Sequence, residues 1–157
     1  MKHIILMSIF LTSLTFGQEL KIKANTFIAD EKKGISIFKG DVNVIKKNDE
    51  LNASKVTIYT DKKNQPTKFV ALGNVSFKIE TKQGSKYEGT ASKVIYLPKD
   101  KEYHFYENVL LKQLTEKKEI RGDEVILNIT DGQAYAKGLK KEPVIMIFNI
   151  DEEEETK

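Results

Sequence analysis

A short block of small residue, polar residue and valine recurs along this chain at a nearly constant interval. Gly40-Asp41-Val42, Gly73-Asn74-Val75 and Glu107-Asn108-Val109 start 33 and 34 residues apart. After each comes a second block: Ala53-Ser54-Lys55-Val56, Ala91-Ser92-Lys93-Val94 and Gly122-Asp123-Glu124-Val125. Each of these reads as the small-residue start of a new strand. A degenerate first copy is Ala24-Asn25-Thr26-Phe27, and a last half-copy is Ala134-Tyr135-Ala136-Lys137-Gly138. In the third copy Glu107 occupies the place of glycine. A period of this size made of strands alone describes V-shaped hairpin units, which must stack to bury a shared interior.

The residues between the blocks support strands. Leu20-x-Ile22-x-Ala24, Phe38-x-Gly40-x-Val42-x-Val44, Phe69-x-Ala71-x-Gly73-x-Val75-x-Phe77-x-Ile79 and Val125-x-Leu127-x-Ile129 alternate with period two. That period puts one set of side chains on one face of a sheet and the lysines and polar residues on the other. Turn residues separate the runs at Lys33-Gly34, Lys47-Asn48-Asp49, Lys62–Pro66, Gln83-Gly84-Ser85, Pro98–Lys101 and Thr130-Asp131-Gly132. Tyr103, Tyr106, Leu110 and Leu114 also fit a helical stripe, but the third repeat places Tyr103–Leu111 as strand. The expectation is an all-β domain of about sixteen short strands. Ala24, Ala53, Ala71, Gly73, Gly89, Ala91, Gly122, Ala134, Ala136 and Gly138 fall at or near inward positions and would leave space between the sheets.

Composition narrows the chemistry. The 157 residues contain no cysteine and two histidines, His3 and His104. Thiolate metal sites, cysteine nucleophiles and histidine clusters are excluded, and no cofactor or metal site is expected. The acid pairs Asp30-Glu31, Asp49-Glu50 and Asp123-Glu124 are adjacent on strands and point to opposite faces, so none converges as glycosidase carboxylates do. Asp151–Glu155 lacks the spaced ligands and glycine of a calcium loop. Lysines are dispersed and Arg121 is the single arginine, a pattern unlike nucleic-acid binding. The chain is not expected to be an enzyme.

The ends have their own character. Lys2, the apolar run Ile4–Leu14 and the small-residue ending Thr15-Phe16-Gly17 have the layout of a secretory signal, with an uncleaved anchor as the alternative. Residues 1–17 are read as that signal, 18–150 as the domain, and 151–157 as an acidic disordered tail.

The Gly-Asn/Asp-Val and Ala-Ser-Lys-Val blocks, with Ile120-Arg121-Gly122-Asp123 and the N-terminal signal, resemble the OstA-like family over Leu20 to Phe148. The resemblance implies an open, twisted β-jellyroll of two facing antiparallel sheets. It also implies a periplasmic protein that carries lipopolysaccharide from inner to outer membrane through an apolar groove. By the same resemblance the groove begins at Leu20 and Ile22, has an aromatic near Phe77 and includes Tyr96; Pro98 departs from the pattern and is expected to end its strand. Inward parity adds Phe38, Val42, Val44, Val56, Ile58, Phe69, Val75, Val94, Phe105, Val109, Leu111, Val125 and Leu127 as lipid-facing residues. Implied partners are lipopolysaccharide, through its lipid A acyl chains, and the inner-membrane LptC-like and outer-membrane LptD-like jellyrolls, joined by edge-strand addition. Head-to-tail self-association is implied as well. The candidate edges are Leu20–Ala29 and Val144–Ile150, and proline at Ile147 is expected to disable the second. The residues alone leave open a structural or adhesive β-solenoid subunit, and the resemblance leaves open a membrane-anchored LptC-like relative.

Overall fold

The computed structural model describes residues 19–139 and 142–150. The proposed signal and acidic tail lie outside the described residues. Ten strands form one antiparallel sheet: β1 (Leu20–Lys23), β2 (Thr26–Asp30), β3 (Ile35–Lys46), β4 (Asp49–Thr60), β5 (Pro66–Glu80), β6 (Lys86–Leu97), β7 (Glu102–Gln113), β8 (Lys118–Asn128), β9 (Ala134–Lys137) and β10 (Ile145–Phe148). Pairing runs β1-β3-β4-β5-β6-β7-β8-β10, with β2 also on β3 and β9 also on β8. Tyr103–Gln113 is strand, as the repeat requires, and β6 ends at Leu97 just before Pro98.

The strand count differs from the sequence expectation for a physical reason. The small-residue blocks do not start strands; they bend them in the middle. Register shifts fall at Lys39/Val42, Asn52/Lys55, Leu72/Val75, Thr90/Lys93 and Tyr106/Val109, so every neighbouring pair from β3 to β8 is interrupted at the same level. In β3, β5 and β7 two residues oppose one on the following strand, which is a β-bulge and bends the strand that carries it. Those residues have left-handed backbones: Gly40 (φ 82), Asp41 (φ 45), Gly73 (φ 85), Asn74 (φ 45), Glu107 (φ 63) and Asn108 (φ 51). The bends align into a crease, and the single sheet folds along it into two half-sheets. Six long strands cut in two, with four short ones, are the sixteen segments that the alternation pattern separates. Gly73 suits that position, since its φ of 85 strains any residue with a Cβ and that Cβ would stand 2.6 Å from Ser54 Oγ.

The first half-sheet holds β1, β10 and the stretches of β3–β8 from Val42 to Ala53, Val75 to Ala91 and Val109 to Gly122. The second holds β2, β9 and the remaining stretches. Val42, Val56, Val75, Val94, Phe105, Leu111, Val125 and Leu127 are fully buried between them. On the outside of the first half-sheet Glu50, Lys78, Glu88, Lys112 and Glu119 sit directly opposite one another in register. Each inter-strand step in that row pairs opposite charges, a favourable arrangement on a solvated face.

The two layers are staggered by the sheet's twist. The tip of the β3–β4 hairpin faces the start of β7, and Lys82 N–H in the β5–β6 turn donates to Ile129 O at 3.0 Å. One layer therefore outruns the other at each end. Phe27, tilted against Phe38 with ring centroids 4.9 Å apart, is 58% exposed at the first end. Ile145, Met146, Ile147 and Phe148 are 45–52% exposed at the second. Neither edge is one strand: the first is split between β1 and β2, the second between β9 and β10.

Candidate functional site

All seventeen residues assigned to the interior from the sequence take inward positions, though they are not equally enclosed. Val42, Val56, Ile58, Val75, Phe77, Val94, Phe105, Val109, Leu111, Val125 and Leu127 are buried. Ile22, Phe38, Val44, Phe69 and Tyr96 are partly buried against that cluster, and Leu20 is 37% exposed at the first end.

These residues divide the interior into two regions. In the middle, the Phe77 and Phe105 rings pack with centroids 4.4 Å apart, and Val75, Phe105, Val125 and Leu127 have no accessible surface. That part is closed to solvent. Toward the first end lies a cavity of about 300 Å³. Leu20, Val44, Leu51, Val56, Phe69, Ala71, Phe77, Ile79, Val94, Tyr96 and Tyr103 form its apolar wall, and exposed Gln65 and Pro66 stand at its rim. Ala71 has large neighbours but no bulk of its own, which leaves space beside Phe69 and Val94. Rings continue along one wall: Phe69–Tyr96 at 5.9 Å, Tyr96–Tyr103 at 4.5 Å and Tyr103–Phe105 at 6.0 Å.

The mouth of the cavity is polar. Lys46, at the end of β3, holds its Nζ 5.7 Å from the centroid of the Tyr96 ring on the opposite half-sheet. Asp49, at the start of β4, accepts from Glu80 N–H at 2.9 Å and faces the Tyr103 hydroxyl across the gap. Burial pushes the Asp49 carboxyl above its ordinary range, while the Glu80 N–H and the Lys46 charge pull the other way. Burial also raises Tyr103 well above its ordinary value, and the Asp49 charge adds to this. Tyr96 is raised for the same two reasons in the same order. Both phenols stay neutral donors at physiological pH.

Sequence reasoning passed over Leu51, Ile79, Tyr103, Lys46 and Asp49. The first three share the inward parity of Ala53, Phe77 and Phe105, so period two alone would have included them. Lys46 and Asp49 are a cross-strand pair flanking the two-residue turn Lys47-Asn48. They share the inward face, and a charged pair at inward register was the signal that marked them. Glu50, by contrast, is held on the outside by Asn43 Nδ2 at 2.9 Å, so the acid pair does not converge. Among the described residues no group of acids and histidines is placed to hold a metal ion.

The geometry can take up a slender apolar chain at one end and offers a polar rim for whatever that chain is attached to. The profile of a family described as LptA/(LptD N-terminal domain) LPS transport protein matches residues 21–133. The crystal structure of LptH from Pseudomonas aeruginosa, described as the LptA homologous periplasmic component of its conserved lipopolysaccharide transport device, superposes with a TM-score of 0.75. The match covers 85% of this chain and 96% of that one at 14% identity, which speaks to the fold. A search of curated proteins returns no sequence match.

Proposed function

Because the chain belongs to the LptA/LptD N-terminal domain family of lipopolysaccharide transport proteins, which are carriers and not enzymes, we propose that it is a periplasmic bridge that shields lipid A acyl chains between the membranes. The observation that carries this reading is the apolar cavity at the first end, walled by Leu20, Val44, Phe69, Phe77 and Tyr96. Burial of one methylene is worth about 0.8 kcal/mol. An acyl chain of about a dozen carbons therefore faces a barrier on the order of 10 kcal/mol in open water. A walled apolar space removes that barrier without catalytic groups.

The split edges supply the proposed partners. β1 and β2 would continue into an inner-membrane LptC-like jellyroll, and β9 and β10 into an outer-membrane LptD-like one or a second copy, by strand addition. Export through the segment 1–17 belongs to the same reading. The experiment is site-specific photo-crosslinking in the periplasm. Probes at Phe77 and Tyr96 capture lipopolysaccharide, and one at Lys55, on the outer face, does not. Equal capture at all three positions defeats the proposed route.

The filled middle of the interior favours the second reading, a structural or adhesive subunit with an ordinary core. Lipid extraction from protein purified out of its own periplasm separates the two: co-purifying acylated lipid supports the bridge, and lipid-free protein supports the subunit.

A further inference from the structure

The two sides of the folded sheet are held together by different means. At the crease six strands cross covalently, yet every neighbouring pair loses its ladder register there, and three strands carry consecutive left-handed residues. That is the construction of a hinge, where rotation breaks few bonds. At the mouth no strand of the described residues crosses. Among the described residues two sets of contacts join the half-sheets there. Near β8 and β9, Lys82 N–H donates to Ile129 O and Gln83 Nε2 to Thr130 O. Beside the cavity the closure consists only of side chains: Lys46 over Tyr96, and Asp49 against Tyr103.

We propose that this second closure is a latch on a side port, through which acyl chains enter the cavity laterally while the headgroup stays outside, where Lys46 exchanges Tyr96 for an anionic group on it. The proposal rests on the lipid-binding reading above and adds the route and the residues that set it. The latch suits opening because each polar group finds a partner in both states. Asp49 keeps the Glu80 N–H, which belongs to its own half-sheet, and the Tyr103 hydroxyl and Lys46 ammonium exchange one another's half-sheet for water. Such exchanges leave little net cost. The main-chain bonds at Lys82 and Ile129 keep the far part of the mouth shut, so rotation opens the seam at the cavity end.

The absence of native cysteine makes the test direct. A single cysteine replaces Val56, which lines the cavity, and a second protein carries one at Leu127, buried but away from it. Maleimide labelling of Val56→Cys accelerates about tenfold when Lys46→Ala and Asp49→Ala are added, as expected for a local opening, while labelling of Leu127→Cys does not change. Equal acceleration at both positions means that the whole domain has loosened, and overturns the port. In a second arm, Asp49→Cys/Tyr103→Cys is bridged with a short bis-maleimide or capped with N-ethylmaleimide, and uptake of a fluorescent dodecanoyl phospholipid is followed. Bridging slows uptake about tenfold relative to capping if local opening controls entry. Equal uptake rates mean entry from the end of the stack and overturn the port. If neither form takes up the phospholipid, the lipid-binding reading fails, and the labelling arm still judges the latch.

Discussion

Glu107 occupies a backbone position that glycine fills in the two preceding copies, with φ 63 against 82 and 85. A left-handed conformation costs a residue with a Cβ roughly 1–2 kcal/mol, so Glu107→Gly should raise the melting temperature by a few degrees. The reverse change at Gly73 should lower it. Gly73→Ala places a methyl 2.6 Å from Ser54 Oγ and adds the same backbone strain, a combined loss of about 2–3 kcal/mol. Adding Ser54→Gly should recover the steric part and leave the strain, which thermal scans of the single and double variants resolve. Asp49 gives a prediction in pH. Its carboxyl is raised above the ordinary 3.8, so the folded protein binds that proton more tightly than the unfolded chain. The stabilisation this confers is present below 3.8 and is lost as pH rises through the raised value. Asp49→Asn removes the charge and keeps a carbonyl for Glu80 N–H. Its melting temperature should gain on wild type as pH rises from 3.8 through the raised value, and then the gap should level off.

At the scale of elements, the free edge can be read bond by bond. Asn149 N–H donates to Lys117 O, and the β8–β10 register is regular, so Ile147 and Glu119 form a hydrogen-bonded pair as well. The Ile147 N–H therefore points inward to β8, and Met146 and Phe148 present theirs to the open side. Proline at Ile147 would detach β10 instead of silencing the edge, contrary to the expectation from sequence. The informative variant is Phe148→Pro: it should keep the fold by circular dichroism and weaken head-to-tail association in sedimentation, where Ile147→Pro also disturbs β10. The charged row across the outside gives a second test. Glu88→Lys puts three lysines in register and should cost about 0.5–1 kcal/mol, less at high salt. The sequence made these strands and their inner faces legible because alternation survives any bend. It did not reveal that Ala53-Ser54 and Gly122-Asp123 sit inside strands, since a small residue at a bulge and one at a strand start look alike in one dimension. Hydrogen-bond parity at Ile147 was hidden for a similar reason: it depends on register with β8, which the sequence of β10 does not contain.

For the molecule as a whole, protection should be graded from centre to ends. β4–β7 contribute most of the fully buried side chains, whereas all residues of β10 and most of β1 and β2 are exposed. Native-state hydrogen exchange should find amides of β4–β7 opening only with global unfolding and those of β1, β2, β9 and β10 exchanging far sooner. Uniform protection across all ten strands would contradict this gradient. The split edges have a further consequence. A straight, sticky strand from a misfolded neighbour can lie along β1 or along β2, but it cannot follow both around the bend. It gains half a ladder and leaves the other half unsatisfied. Only a chain already creased at the matching level can pair along the full width. The same kink that folds the sheet thus screens its visitors by shape, and guards even the uncharged β10 against amyloid-like growth, where β1 has Lys21 and Lys23 as well.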